Sequence, residues 1–134
     1  VPEKVEQSHI VQTLRLVHAR VYVIGHAPRR DQAHKGTSQT PGIPDLLVHL
    51  PASPMPMLRT LHTHAAPHEL WIEVKAHRGR LSAEQASFRD FCHLAGIAHV
   101  VGGLDEVIAY LLDHGYVSAS GVAHYRLRGD DHAS

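Results

Sequence analysis

The run Leu70-Trp71-Ile72-Glu73-Val74-Lys75 sets two charged side chains into an otherwise strand-forming, apolar stretch. Trp71, Ile72 and Val74 favour strands, and strand alternation places Trp71, Glu73 and Lys75 on one face. A carboxylate and an ammonium two residues apart on a buried strand are costly to desolvate unless other groups compensate them. Upstream, Gly42-Ile43-Pro44-Asp45-Leu46-Leu47-Val48 repeats the pattern, with one acid set into an apolar run. Two acids and a lysine on neighbouring strands can hold a divalent cation and a water beside a phosphate.

The 134 residues suffice for one domain with its own core. Residues 1–115 carry the periodic segments; 116–134 form a C-terminal extension with weak periodicity and no assigned structure. No apolar run approaches a membrane span, and the polar, acidic start Val1–Glu6 lacks a signal-peptide pattern. The single cysteine, Cys92, precludes an internal disulfide and suits a reducing compartment; in an apolar helix stripe it reads as a small buried residue. Thirteen basic and 13 acidic residues cancel, which argues against coating nucleic acid by bulk charge. The basic residues are nevertheless clustered, as Arg29, Arg30 and Lys35, and again as Lys75, Arg78 and Arg80. The 14 histidines make the net charge pH-dependent near 6.5.

In chain order, Glu3 to about Arg20 reads as a helix with Ile10, Val11, Leu14 and Val17 inward. Glu6 lies one turn before Ile10, either as an acid favoured near a helix N-terminus or facing the site. Val21–Ile24 is a strand stopped by Gly25. Residues 26–41 are a polar, basic loop that either reaches a phosphate backbone or is simply solvated. Pro41–Pro44 is a turn delivering the strand Asp45–Leu50. Residues 51–68, with four prolines and three histidines, connect it to the strand Leu70–Lys75. A basic turn around Gly79 follows. Ser82-Ala83-Glu84-Gln85 is a capping-box signature, opening a helix with Gln85, Phe88, Phe91, Cys92 and Ala95 inward and Gly96 as its stop. Ile97–Val101 is a strand. A last helix starts near Asp105, with Val107, Ile108, Leu111 and Leu112 buried, and stops at Gly115. The order helix, strand, strand, strand, helix, strand, helix predicts an α/β fold with a mixed central sheet flanked by helices.

Mg²⁺ takes oxygen ligands, keeps several waters and is commonly held by one or two carboxylates. Asp45 and Glu73 on adjacent strands meet that need, and the backbone carbonyl of Val74 can add a third oxygen. Lys75 would help hold or deprotonate a water nucleophile and offset phosphate charge, and Gln85 at the mouth of the next helix would orient that water. The plainer alternative is a structural Asp45 with a Glu73/Lys75 pair at a sheet edge.

The context of these residues resembles a known family. Gly42–Leu47, Leu70–Lys75 and Gly79–Phe88 together are similar to the VRR-NUC branch of the PD-(D/E)xK nucleases, as are Ala95-Gly96, Val100-Val101 and Leu104–Val107. The resemblance runs from about Glu6 to Leu112. It implies a restriction-endonuclease-like core and Mg²⁺- or Mn²⁺-dependent phosphodiester hydrolysis. By position, Asp45 and Glu73 would be metal ligands, Lys75 the catalytic lysine and Gln85 the glutamine of the motif, with Glu6 a further candidate ligand. Ser82–Gln85 would then serve both helix cap and site, two roles drawing on one amide. Arg29, Arg30, Lys35, Arg78 and Arg80 are the candidate DNA contacts. The stand-alone members that the chain resembles imply a cytoplasmic, nucleoid-associated homodimer of bacterial or phage type acting on branched DNA, including four-way junctions. Two symmetric sites would cut two strands. The chain departs from the family pattern in its Pro/His-rich insert at 51–68 and its zero net charge.

Two rivals stand beside this. His62-x-His64-x-x-x-His68 has a zinc-ligand spacing, although it falls in a proline-broken loop among many surface histidines. A nuclease fold that only binds nucleic acid, catalytically silent, is the other.

Overall fold

A computed structural model of the chain describes residues 1–24, 40–54 and 65–118. Its elements are α1 (Glu3–Leu16), β1 (Arg20–Val23), β2 (Leu46–Leu50), β3 (His68–Val74), α2 (Ala83–Ala95), β4 (Ala98–Gly102) and α3 (Leu104–Asp113). Their order is the one expected from the periodicities. The four strands form one mixed sheet in the order β1-β2-β3-β4. β1–β2 and β2–β3 are antiparallel, with Tyr22 opposite Leu47 and Leu47 opposite Trp71. β4 returns parallel to β3 after the α2 crossover, with Trp71 opposite His99.

Alternation divides the sheet as the sequence predicts. Leu70, Ile72 and Val74 of β3 join Leu46, Val48 and Leu50 of β2 on one face. Against them pack Ile10, Leu14 and Val17 of the α1 segment and Val107 and Leu111 of α3. Fully burying each such aliphatic side chain contributes roughly 1.5–3 kcal/mol, so this face is the main source of stability. The other face carries Trp71 and His99 and is covered by α2, whose Phe88 contacts both rings. Two faces, each with helices, make the α/β layering.

Several expectations shift. The first helix ends at Leu16, not near Arg20: His18 takes a left-handed φ of +64°, Ala19 N–H closes back on Leu14 O at 3.1 Å, and Arg20 opens β1. In α2, Cys92 is buried, but Phe91 is 61% exposed and Ala95 is exposed as well. Phe91 lies about a quarter-turn off the Gln85–Phe88–Cys92 stripe, and Ala95 sits where the chain turns away at Gly96, φ +75°. In α3, Val107 and Leu111 are buried, whereas Leu112 is 38% exposed. Beyond Gly115, Tyr116 and Val117 enter the core, and the Tyr116 hydroxyl donates to Pro51 O. The packed domain therefore continues past 115; residues 119–134 lie outside those described. Among the described residues, no helix is long and apolar enough to cross a membrane.

The two flanks of the 51–68 connection are tied together. Ser53, 4% exposed, accepts Ala65 N–H on Oγ at 2.7 Å, and its own N–H donates to Ala65 O at 2.9 Å. Backbone and side chain together fix where β2 hands over to β3.

Candidate active site

Asp45 sits one residue before β2, on a bend that Pro44 anchors in the core. Its carbonyl accepts Ile24 N–H at 2.9 Å, so the β1–β2 pairing extends to it. Continuing the β2–β3 register by one step places Asp45 opposite Glu73. Asp45 Oδ2 accepts Val74 N–H at 2.8 Å, and its carboxyl lies close enough to that of Glu73 to raise the Glu73 pKa. Gly42 shapes the approach. It has φ +84°, and a Cβ there would lie 2.5 Å from Glu84 O, so only glycine lets this loop pack on the first turn of α2.

Glu73 is 4% exposed. Burial, above all, pushes its carboxyl from 4.5 up to about 8; the hydrogen bond and the charge of Asp45 add to the rise, Lys75 opposes it, and Glu3 adds a further push. At neutral pH the Glu73 carboxyl therefore keeps its proton when no cation is beside it, since burial and the neighbouring Asp45 both disfavour its charged form.

Gln85 serves cap and site at once. Its Oε1 accepts Ser82 N–H at 2.8 Å, while Ser82 Oγ accepts Gln85 N–H at 3.1 Å, the reciprocal capping box. Its Nε2 donates to Glu73 Oε2 at 3.1 Å. The two roles use opposite ends of the amide and do not compete.

Lys75 follows on the same face. Its N–H donates to Gly102 O at 3.0 Å, extending the β3–β4 pairing. Its aliphatic stem runs close over Gly79, where a Cβ would stand 3.3 Å from Lys75 Cδ. It lines a cleft of about 290 Å³ together with Glu6, His77, Arg78, Gly103 and Asp105. Arg78 holds a left-handed φ of +69° on the turn beneath, an uncommon conformation for a non-glycine residue. Arg80 is exposed on the same connection.

Glu6 lines the cleft beside Lys75 and is engaged with the start of α3. Its Oε2 accepts Leu104 N–H at 3.1 Å, so an acid in the first turn of α1 caps the first turn of α3, where the dipole favours negative charge. Glu106 Oε1 accepts the neighbouring Gly103 N–H at 2.7 Å. A Cβ on Gly103 would approach Glu6 Oε1 to 2.8 Å, so the glycine is what admits the cap. The first-helix acid whose charge reaches Glu73 is instead Glu3. Sequence spacing did not separate the two, since both stand in the first turn of α1.

The structure thus brings Asp45, Glu73, Gln85 and Lys75 to one end of the sheet. Val74 contributes through its backbone: N–H and C=O of one strand residue lie on the same side, so its carbonyl faces the Asp45 side. Arg78 lines the cleft beside Lys75. Arg29, Arg30 and Lys35 lie outside the described residues, as do His62 and His64. His68 has both ring nitrogens engaged, Nδ1 with Ala66 O at 2.8 Å and Nε2 with the Tyr110 hydroxyl at 2.7 Å. Among the described residues, no three His, Cys, Asp or Glu side chains come together as a metal-binding group.

A two-carboxylate seat with a carbonyl beside it suits a hard, oxygen-seeking cation that keeps its waters, such as Mg²⁺ or Mn²⁺. It lacks the imidazole or thiolate ligands that most protein Zn²⁺ sites include. Comparison with protein-family models, with curated proteins and with solved structures gives no match to the chain.

Proposed function

We propose that this chain is a Mg²⁺- or Mn²⁺-dependent DNA endonuclease with a restriction-endonuclease-like core. The observation that carries the reading is the Asp45–Glu73 pair, two carboxyl groups facing each other across adjacent strands with a lysine two residues further on. Asp45 also accepts Val74 N–H, but a buried Glu73 beside it has no ion partner of its own among the described residues, and a cation that displaces its proton would supply one. The resemblance of Gly42–Leu47, Leu70–Lys75 and Gly79–Phe88 to the VRR-NUC nucleases supports the same reading, and the α-β-β-β-α-β-α order on a mixed sheet is compatible with it.

In this reading Asp45, Glu73 and the Val74 carbonyl hold the cation, which when bound supplies Lewis-acid polarisation of the phosphate. Gln85, already donating to Glu73 Oε2, holds that carboxylate in place for the cation. Lys75 holds an attacking water and takes or steers its proton, and its charge offsets that building on the phosphate oxygens. Arg78 and Arg80 position the backbone of the DNA by phosphate contact. Branched DNA and a homodimer carrying two sites follow from the resemblance to stand-alone members.

The test is cleavage of labelled duplex, single-stranded, flap and four-way-junction DNA with Mg²⁺, Mn²⁺ or EDTA, beside the Lys75→Ala protein. Metal-dependent cutting that Lys75→Ala lacks is expected. Cutting by Lys75→Ala at the wild-type rate would show the site to be misassigned, and the absence of cutting on every substrate would remove the enzyme reading.

A further inference from the structure

On the same sheet face as the acid pair, no described helix packs over the β1–β2 half, whose Arg20, Tyr22 and His49 are exposed. α2 packs on the β3–β4 half, where Phe88 meets Trp71 and His99. Across the other half, the register sets Tyr22 beside Leu47, and Arg20 beside His49, on the α2 side of the sheet. Arg20, Tyr22 and His49 are exposed, Tyr22 to 39%, and Leu47 is half-buried between Tyr22 and Trp71. The Tyr22 ring is held edge-on by His49 at 5.2 Å and 66°, and His49 Nε2 is in turn held by Glu69 at 2.9 Å. An exposed aromatic ring is thus propped in one orientation, with an arginine at the same edge.

This shelf is continuous with the site. Ile24 pairs with Asp45, and Tyr22 lies two residues back along β1. Strand spacing and rise then put the Tyr22 and Asp45 backbones about 8 Å apart. A phosphodiester held at Asp45 and Glu73 therefore has a neighbouring base within reach of the Tyr22 ring.

Resting on the nuclease reading, we propose that the β1–β2 half of this face is a stacking shelf for one unpaired nucleotide adjacent to the scissile phosphate. Tyr22 is the stacking side chain and Arg20 the contact to the flanking phosphate. A base inside a duplex already has both faces stacked, whereas an unpaired base offers a free face, and aromatic rings accept any such base without sequence preference. The occupant is accordingly single-stranded DNA, or the unpaired arm of a branched substrate, rather than blunt duplex. Tyr22 acts as a positioning and specificity residue, not as a catalytic one.

The experiment measures binding of the Lys75→Ala protein, in Mn²⁺, to a fluorescein-labelled flap DNA and to a blunt duplex of the same sequence, alone and combined with Tyr22→Ala, Tyr22→Phe or Arg20→Gln. Tyr22→Ala is expected to weaken flap binding about 5- to 150-fold, the range of one base–aromatic stack. The duplex should be left unchanged, and Tyr22→Phe should keep the flap affinity. Arg20→Gln should flatten the salt dependence of flap binding by about one phosphate contact. Thermal melting of each variant accompanies the titrations, because Tyr22 is at an exposed edge and its loss should leave the fold intact. Wild-type flap affinity in Tyr22→Ala, or an equal loss on flap and duplex, would overturn the shelf while the nuclease reading stands. Binding to neither DNA by the parent Lys75→Ala protein, with no cleavage by wild type, would overturn both.

Discussion

Replacing Glu73 with glutamine converts a pH-dependent group into a permanent imitation of its protonated form. The amide can donate to Asp45 where the Glu73 carboxyl does, and its Oε1 can accept Gln85 Nε2 as Glu73 Oε2 does. The consequence is read as stability against pH in the metal-free protein. Glu73 titrates at about 8 in the folded chain against 4.5 when unperturbed. Between those values the folded state keeps a proton that the unfolded state has released, so wild-type stability falls as pH rises. The slope is about 1.4 kcal/mol per pH unit, and across the whole window the loss is at most about 5 kcal/mol. Below 4.5 the contribution is fully present; above about 8 it is gone and the curve levels. Glu73→Gln carries no such term. Urea unfolding of both proteins in EDTA from pH 5 to 9 should show the variant gaining on wild type steadily up to about pH 8. The histidines titrate in both proteins and cancel in the difference. A difference that does not change with pH would refute the proton kept on Glu73, and with it the description of this pair as a cation seat held by a proton.

Three further outcomes follow from the geometry. Asp45→Ala leaves Val74 N–H without its acceptor, so denaturation should show a loss of about 1–3 kcal/mol, with the fold retained and cleavage abolished. Glu6→Gln keeps an oxygen for Leu104 N–H and should leave Mn²⁺ affinity, read by calorimetry, unchanged; a marked loss would assign Glu6 to the cation rather than to the helix cap. Arg78→Ala should weaken DNA binding and reduce the slope of affinity against salt by about one phosphate, and unchanged low-salt affinity would place Arg78 outside the DNA path.

Much of the architecture was legible because it rests on local pattern. The alternation in Leu70–Lys75 separates Leu70, Ile72 and Val74 from Trp71, Glu73 and Lys75 in any sheet, and the structure puts the first set in the core as expected. Ser82, Gln85 and Gly96 mark the ends of α2 by their own backbone and side-chain chemistry, which does not depend on the rest of the fold. Asp45 and Glu73 could be matched because both stand at the ends of strand-like runs joined as neighbours. The misses all depend on long-range packing. That Glu6 caps α3 turns on how α1 meets α3, a contact between residues 98 apart in sequence. Phe91 matches helical spacing but falls off the strip that two strands can cover. Tyr116 gives no periodic signal, and its burial depends on the Pro51 carbonyl at the far end of β2. The double use of Gln85 was hidden for another reason: one side chain has a donor end and an acceptor end, and only geometry shows both engaged.

The most direct measurement is calorimetric titration of the metal-free protein with Mn²⁺ at pH 7, repeated in buffers of different ionisation enthalpy, beside Glu73→Gln. A cation entering between Asp45 and Glu73 must displace the proton that Glu73 keeps, so the buffer dependence should report release of about one proton per ion bound. Glu73→Gln should show neither the proton nor the binding heat. Mn²⁺ that binds without releasing a proton, or that binds Glu73→Gln as it binds wild type, would contradict the placement of the cation at this pair.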